Sequence, residues 1–171
     1  NESQFLSNAP TTQYARLTDY GTFPFLNFVP NSTDKVLSIM LKYYDSSNSL
    51  LDQEAVLNIP YNGGVSSVGD SNTMINYFGG FPANLDGWSS MWDANKANIS
   101  YYTIQDGNGD SVLYRINILC PNLKGFEAIR LTWLNQWGTW DYYTFNMKST
   151  RTLTTNRTSY TQLGGTWNES T

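Results

Sequence analysis

Three pairs of short alternating runs, each pair joined by a cluster of turn residues, fill the middle of this chain. In "VLSIMLKYY" (36–44), Leu37, Ile39, Leu41 and Tyr43 alternate with Ser38, Met40, Lys42 and Tyr44. Successive side chains of a strand point to opposite faces, so a period of two marks a half-buried strand. "DSSNS" then supplies a turn and Glu54–Ile59 returns. "ISYYTIQ" (99–105) and "SVLYRINIL" (111–119) flank "DGNGD", whose Asp-Gly and Asn-Gly steps provide the positive φ of tight hairpin turns. "FEAIRLTWL" (126–134) and "TWDYYTFNM" (139–147) flank "NQWG", with Gly138 suited to the left-handed position of a short loop. The pattern predicts an all-β fold, an antiparallel β-sandwich built from hairpins.

Composition points the same way. Charged residues make up 14% of the chain, against about 25% in ordinary globular domains. Uncharged polar residues fill the gap, with 19 Asn, 17 Ser and 18 Thr. Long helices want Ala, Leu, Glu, Lys and Gln on their exposed positions instead. Aromatics at 15% argue for a packed core, since disordered chains are poor in them.

Three segments follow from the patterning. Residues 1–34 read as an N-terminal arm or edge segment, 35–149 as the sandwich, and 150–171 as a C-terminal extended segment or linker. Pro24 and Pro30 exclude a central strand in "TFPFLNFVPNS", which suits extended backbone anchored by Phe23, Phe25 and Phe28. Residues 65–97 mix Gly, Pro, Asn and rings without a period, and read as a long irregular loop region with one helical turn near Ser89–Lys96. The chain begins at Asn1 rather than Met and reads as a processed or partial chain.

Little in the chain carries reaction chemistry. It has no His, which closes the Ser-His-Asp and Cys-His routes and any zinc site built on imidazole. The single Cys120 has no internal disulfide partner and reads as a small hydrophobe closing a strand. Asp106, Asn108 and Asp110 stand at alternate positions like a calcium loop, but Ser111 and Asn117 occupy the places where that loop needs Gly and Glu. Asp86, Asp93 and Asp141 lie near Trp88, Trp92 and Trp140, the raw material of an acidic sugar-cleaving cleft, though such neighbours also arise by chance. N-glycosylation sequons, among them those at Asn31, Asn98, Asn156 and Asn168, are about as frequent as chance gives in so Asn- and Thr-rich a chain. We expect no enzyme, no cofactor and no metal.

Net charge is −4, which disfavours nucleic acid because its binding needs a basic face; Arg151 with Arg157 reads as surface. The longest apolar stretch, "FPFLNFVP", falls far short of the roughly 20 residues that span a membrane.

The rings of "AIRLTWLNQWGTWDYYTF" (128–145) are either a packed core or a binding platform. Ile129, Leu131 and Trp133 share one face by period two, and are expected in the core with one face of the return strand. Trp137 sits in the turn and has three uses: capping the sandwich end, touching a neighbouring subunit, or stacking on a sugar. Trp88 and Trp92 in the irregular region are the other candidates for an interface or glycan contact.

The segment "CPNLKGFEAIRLTWLNQWGTWDYYTFNMKS" (120–149) resembles a pattern of virion structural proteins of tailed bacteriophages. It carries an apolar strand ending in Trp133-Leu134-Asn135, then Gly138, then Trp140-Asp141-Tyr142-Tyr143-Thr144-Phe145. The resemblance implies a structural subunit located in the virion, in tail, neck, baseplate or capsid decoration, with other virion subunits as partners. It implies no catalytic residues. A homo-oligomer is expected, because strand edges and extended arms are natural subunit contacts. The alternative function is a carbohydrate-binding β-sandwich module for host-surface attachment.

Overall fold

The computed structural model describes residues 5–26, 38–57, 75–119, 128–146, 152 and 154. Among these the chain forms nine strands: β1 (Thr12–Ala15), β2 (Phe23–Leu26), β3 (Ser38–Tyr44), β4 (Leu50–Leu57), β5 (Ile75–Phe78), β6 (Tyr101–Asp106), β7 (Tyr114–Ile118), β8 (Ile129–Leu134) and β9 (Trp140–Phe145). Two short helices, α1 (Pro82–Leu85) and α2 (Ser90–Asn95), lie between β5 and β6. The fold is all-β. One five-stranded sheet has the order β1-β7-β6-β3-β4, and two-stranded sheets pair β2 with β5 and β8 with β9.

All three expected hairpins form, as β3–β4, β6–β7 and β8–β9. Their turns use the chemistry of the residues that mark them. Asp45 Oδ1 accepts the N–H groups of Ser47 and Ser49, and Asn48 takes φ +61°. Asp106 Oδ1 accepts the Ser111 N–H while Ser111 Oγ accepts the Asp106 N–H, both at 2.9 Å, with Gly109 at φ +79°. That reciprocal pair spends, on the turn itself, the carboxylate a calcium loop would use. Gly138 takes φ +76° at the third turn.

One pairing departs from the antiparallel expectation. β1 runs parallel to β7, with Thr12 beside Arg115 and Ala15 beside Ile118. Hairpin signals report only neighbours in sequence, and this partner lies about a hundred residues away. β1 is an edge strand of the five-stranded sheet. Residues 5–26 are nonetheless built into the domain, with Phe5, Ala15, Phe23 and Phe25 all buried in its core. Pro24 occurs in β2, in a two-stranded sheet where no central ladder needs its missing N–H.

The core lies against one face of the five-stranded sheet. Ile39, Leu41 and Tyr43 of β3, Tyr102 and Ile104 of β6, and Tyr114 and Ile116 of β7 supply that face. The alternation read in 36–44 is thus borne out for Ile39, Leu41 and Tyr43. Phe23, Phe25, Phe78, Phe81, Leu85 and Trp92 pack over them from β2, β5 and the two helices. Phe23 stacks on Phe81 with centroids 5.0 Å apart, and Trp92 meets Tyr102 edge-on at 5.5 Å. Each buried ring contributes roughly 1.5–3 kcal/mol by area and about 0.5–1.5 kcal/mol more where such pairs form.

Helix α2 begins where the expected helical turn does. Ser89 caps it by accepting the Trp92 N–H at 3.0 Å. Ser89 and Tyr43 both donate their hydroxyl hydrogens to Glu54 Oε1, tying the cap to the inner face of edge strand β4.

The ring-rich ribbon is where expectation fails. β8 and β9 supply none of the fully buried core side chains, although Tyr142 of the return strand packs against the core beside Phe81. They form a sheet of their own, with Ile129 and Leu131 exposed and Trp133 only half-buried. Period two says which residues share a face, and it does not say which face turns inward. Here polar partners decide it, as described below. Residues 150–171, apart from 152 and 154, lie outside the described residues, as do Phe28, Pro30, Cys120, Arg151 and Arg157.

The buried phenols make stability sensitive to alkali. Burial raises the pKa of Tyr43 and Tyr102, and for Tyr43 the hydrogen bond to Glu54 raises it further. Tyr102 also donates to Gly80 O at 2.7 Å. In the unfolded chain both ionise near 10.0. A group whose pKa is raised by folding supports the fold fully below its unfolded pKa and loses that support as pH climbs toward the folded one. Thermal midpoints should therefore hold up to about pH 9 and fall steadily by about pH 11, with the buried rings' share of the tyrosinate absorbance appearing only as the chain melts. A flat midpoint with early tyrosinate absorbance from all the rings would contradict the buried placement.

Candidate interaction surface

The β8–β9 ribbon is fixed to the domain by its polar residues. Arg130 Nη1 donates to Thr144 Oγ1 at 2.9 Å and lies 3.5 Å from Asp19 Oδ2, while Nη2 donates to the Tyr20 carbonyl. Its guanidinium also lies over Phe81 at 4.4 Å and Tyr142 at 5.2 Å. Asp19 is buried and holds Arg16 as well, with Arg16 Nη2 at 2.9 Å. Thr144 Oγ1 reaches Asp19 Oδ2 at 3.2 Å. Burial pulls the Arg130 pKa down, and the charge of Asp19 opposes that pull.

At the tip the anchor is the N-terminal segment. Asn135 Nδ2 and Thr139 Oγ1 both donate to the Leu6 carbonyl, at 2.8 and 3.0 Å. Asn135 Oδ1 accepts the N–H groups of Trp137 and Thr139, which closes the turn. The Asn8 N–H donates to Asp141 Oδ2 at 2.9 Å. Asn135, Thr139, Asp141 and Thr144 are all buried. Buried polar groups need partners; at the ribbon's base the Arg130–Thr144 side turns inward, while at the tip the enclosed residue is Asp141, on the opposite side beside Trp133.

The apolar side is left outward. Ile129 pairs across the ribbon with Phe145, and Leu131 with Tyr143. Directly opposed residues of an antiparallel pair share a face, so these four form one patch. Leu131 and Phe145 are each 47% exposed, and the Tyr143 and Phe145 rings meet edge-on at 4.7 Å. Leu134 and Trp140 pair near the tip on the ribbon's other face, where they too are exposed.

The three tryptophans singled out from sequence part company. Trp137 is 41% exposed at the ribbon's tip, and Trp88 is 56% exposed in the α1–α2 turn. Trp92, at 1% exposure, is a core residue, which corrects its assignment as an interface or glycan contact. Helix α2 turns its ring onto Tyr43 and Tyr102, which the irregular sequence around it does not foretell. A carbohydrate platform built on Trp88 and Trp92 together is thereby lost.

The acids do not assemble the sugar-cleaving cleft either. Asp86 and Asp93 share the Lys96 ammonium at the surface. The Asp93 carboxyl is held below its ordinary pKa, first by the Gly87 N–H and then by Lys96. Asp141 is closed to solvent on the ribbon. Among the described residues no group of three or more His, Cys, Asp or Glu is placed to hold a metal, and no helix is long and apolar enough to cross a membrane.

Nothing in the sequence marks Asp19 or Thr139 as an anchor of the ribbon, and Asn135 stands out only within the phage-like motif. The one available signal was Arg130, a cation inside an apolar run. Compared with protein-family models, curated proteins and solved structures, the chain shows no match to any.

Proposed function

We propose that this chain is a non-enzymatic structural subunit of a phage particle, acting in a symmetric oligomer through the outer face of its β8–β9 ribbon. The observation that carries the reading is the patch of Ile129, Leu131, Tyr143 and Phe145 on a rigidly anchored ribbon. Exposed apolar patches on soluble proteins mark contact surfaces. A ribbon already held by buried hydrogen bonds loses little freedom on docking, so its apolar area counts more fully toward association. The phage part of the reading rests on the resemblance of residues 120–149, which includes the whole ribbon. A virion location, and a role in tail, neck, baseplate or capsid decoration, belong to the same proposal. So does the finer architecture of a β-sandwich, with the β2–β5 pair as a short second sheet over the Leu41–Tyr43 face.

Particle incorporation tests it. Purified phage particles probed with an antibody to this chain should contain it in fixed stoichiometry. Leu131→Asp, a change at an exposed site that should alter stability by less than about 0.5 kcal/mol, should abolish that incorporation. Detection of the chain only in the soluble fraction would overturn the reading.

A further inference from the structure

The sheet face turned away from the core carries chemistry that neither the core nor the ribbon uses. Period two turns Met40, Lys42 and Tyr44 outward, opposite the buried Ile39, Leu41 and Tyr43. Register then sets one row across the sheet: Thr12, Arg115, Thr103, Lys42 and Gln53. The next row holds Tyr14, Asn117, Tyr101 and Tyr44. A groove of about 190 Å³ opens on this face, lined by Met40, Lys42, Tyr44, Thr103, Gln105 and Leu113.

Its walls are of three kinds. Lys42 contributes an ammonium. Arg115 lies one row position beyond Thr103, 3.6 Å from the centre of the Tyr101 ring, and Tyr101 in turn stacks on Tyr44 at 4.8 Å. Arg16, Lys96 and Arg130 have carboxylate partners, whereas Lys42 and Arg115 have none among the described residues. In a chain of net charge −4, two cations without acids on one sheet face are a local inversion of sign. Gln105 donates its amide hydrogens to Gly109 O and Ser111 O, which leaves its oxygen as an acceptor. Tyr44, Met40 and Leu113 supply apolar wall.

We propose that this groove binds a carboxylate-bearing sugar unit, such as a uronic acid residue of an acidic polysaccharide. Pockets for drug-sized ligands run to roughly 300–1,000 Å³, so this one suits a single ring. The ammonium of Lys42 meets the carboxylate, the Gln105 oxygen and Thr103 hydroxyl meet sugar hydroxyls, and the apolar wall meets the C–H face of the ring. An extended peptide docks at a sheet edge, where main-chain bonds are open. This groove lies over β3 and β6, inside the sheet, where those bonds are already made.

Amide chemical shifts of the isotope-labelled full chain, titrated with tri-galacturonate, test the site. Saturable shifts are expected at Lys42, Tyr44, Thr103 and Gln105. The neutral trisaccharide maltotriose should bind about tenfold more weakly or worse, as loss of a charge-assisted hydrogen bond implies. Lys42→Gln should weaken tri-galacturonate binding by about tenfold, with an unchanged melting curve, and Leu131→Asp should leave it unaffected. No shift at about 20 mM tri-galacturonate, or equal binding of maltotriose, would overturn the proposal. Tighter binding of hexaglutamate than of the sugar would also overturn it and give the groove to an acidic peptide. The ribbon's role does not depend on the result.

Discussion

Trp92→Ala should lower the unfolding free energy by about 3–5 kcal/mol, the range for emptying a large aromatic site in a core. That is a large share of the roughly 5–15 kcal/mol that holds a typical domain folded. The ring is enclosed between Tyr43 and Tyr102, both fully buried, so the walls have little room to collapse into the void. Its Nε1 has no hydrogen-bond partner among the described residues, so the loss is one of packing. Trp88→Ala, four residues earlier and more than half exposed, should stay within about 0.5 kcal/mol of the parent. Urea unfolding followed by circular dichroism measures both. A Trp92→Ala loss below about 1 kcal/mol would mean the ring does not occupy the core.

Arg130→Ala should destabilise by about 3 kcal/mol, the low end of the 3–5 kcal/mol seen when one partner of a buried pair is removed. The low end applies because Arg16 still faces Asp19 after the change. The loss has several parts: the hydrogen bonds to Thr144 and Tyr20, and the contacts with Phe81 and Tyr142. The double variant Arg130→Met with Asp19→Asn should recover part of it, since apolar replacement of a buried pair is often near neutral. Hydrogen exchange of β8 and β9 amides should accelerate in Arg130→Ala more than exchange in β3 and β6. Uniform acceleration would show that Arg130 supports the whole domain rather than the ribbon's attachment.

The contrast between these two residues shows what the sequence conveys. Hairpins β3–β4, β6–β7 and β8–β9 were legible because turn chemistry and alternation are local. The start of α2 was legible through Ser89 for the same reason. The parallel partnership of β1 with β7, and the pairing of β2 with β5, join segments separated by some fifty to a hundred residues and leave no local mark. For the ribbon, alternation sorted Ile129, Leu131 and Trp133 onto one face correctly but assigned that face to the interior. At the ribbon's base the inward side was decided by Asp19, and at the tip the turn was tied down by Leu6 and Asn8, all residues outside the ribbon's own pattern. Trp88 and Trp92 could not be told apart without knowing how α2 sits on the sheet. The groove was half legible: Lys42 and Tyr44 stood on the outward side of their strand, but Arg115 joins them only through β6.

Sedimentation velocity on the purified chain, beside Leu131→Asp, most directly probes the claim that the ribbon's outer face joins one subunit to the next. The parent should sediment as a concentration-dependent oligomer, and the variant as a folded monomer at every concentration tried. A parent that stays monomeric throughout, or a variant that associates just as well, would contradict it.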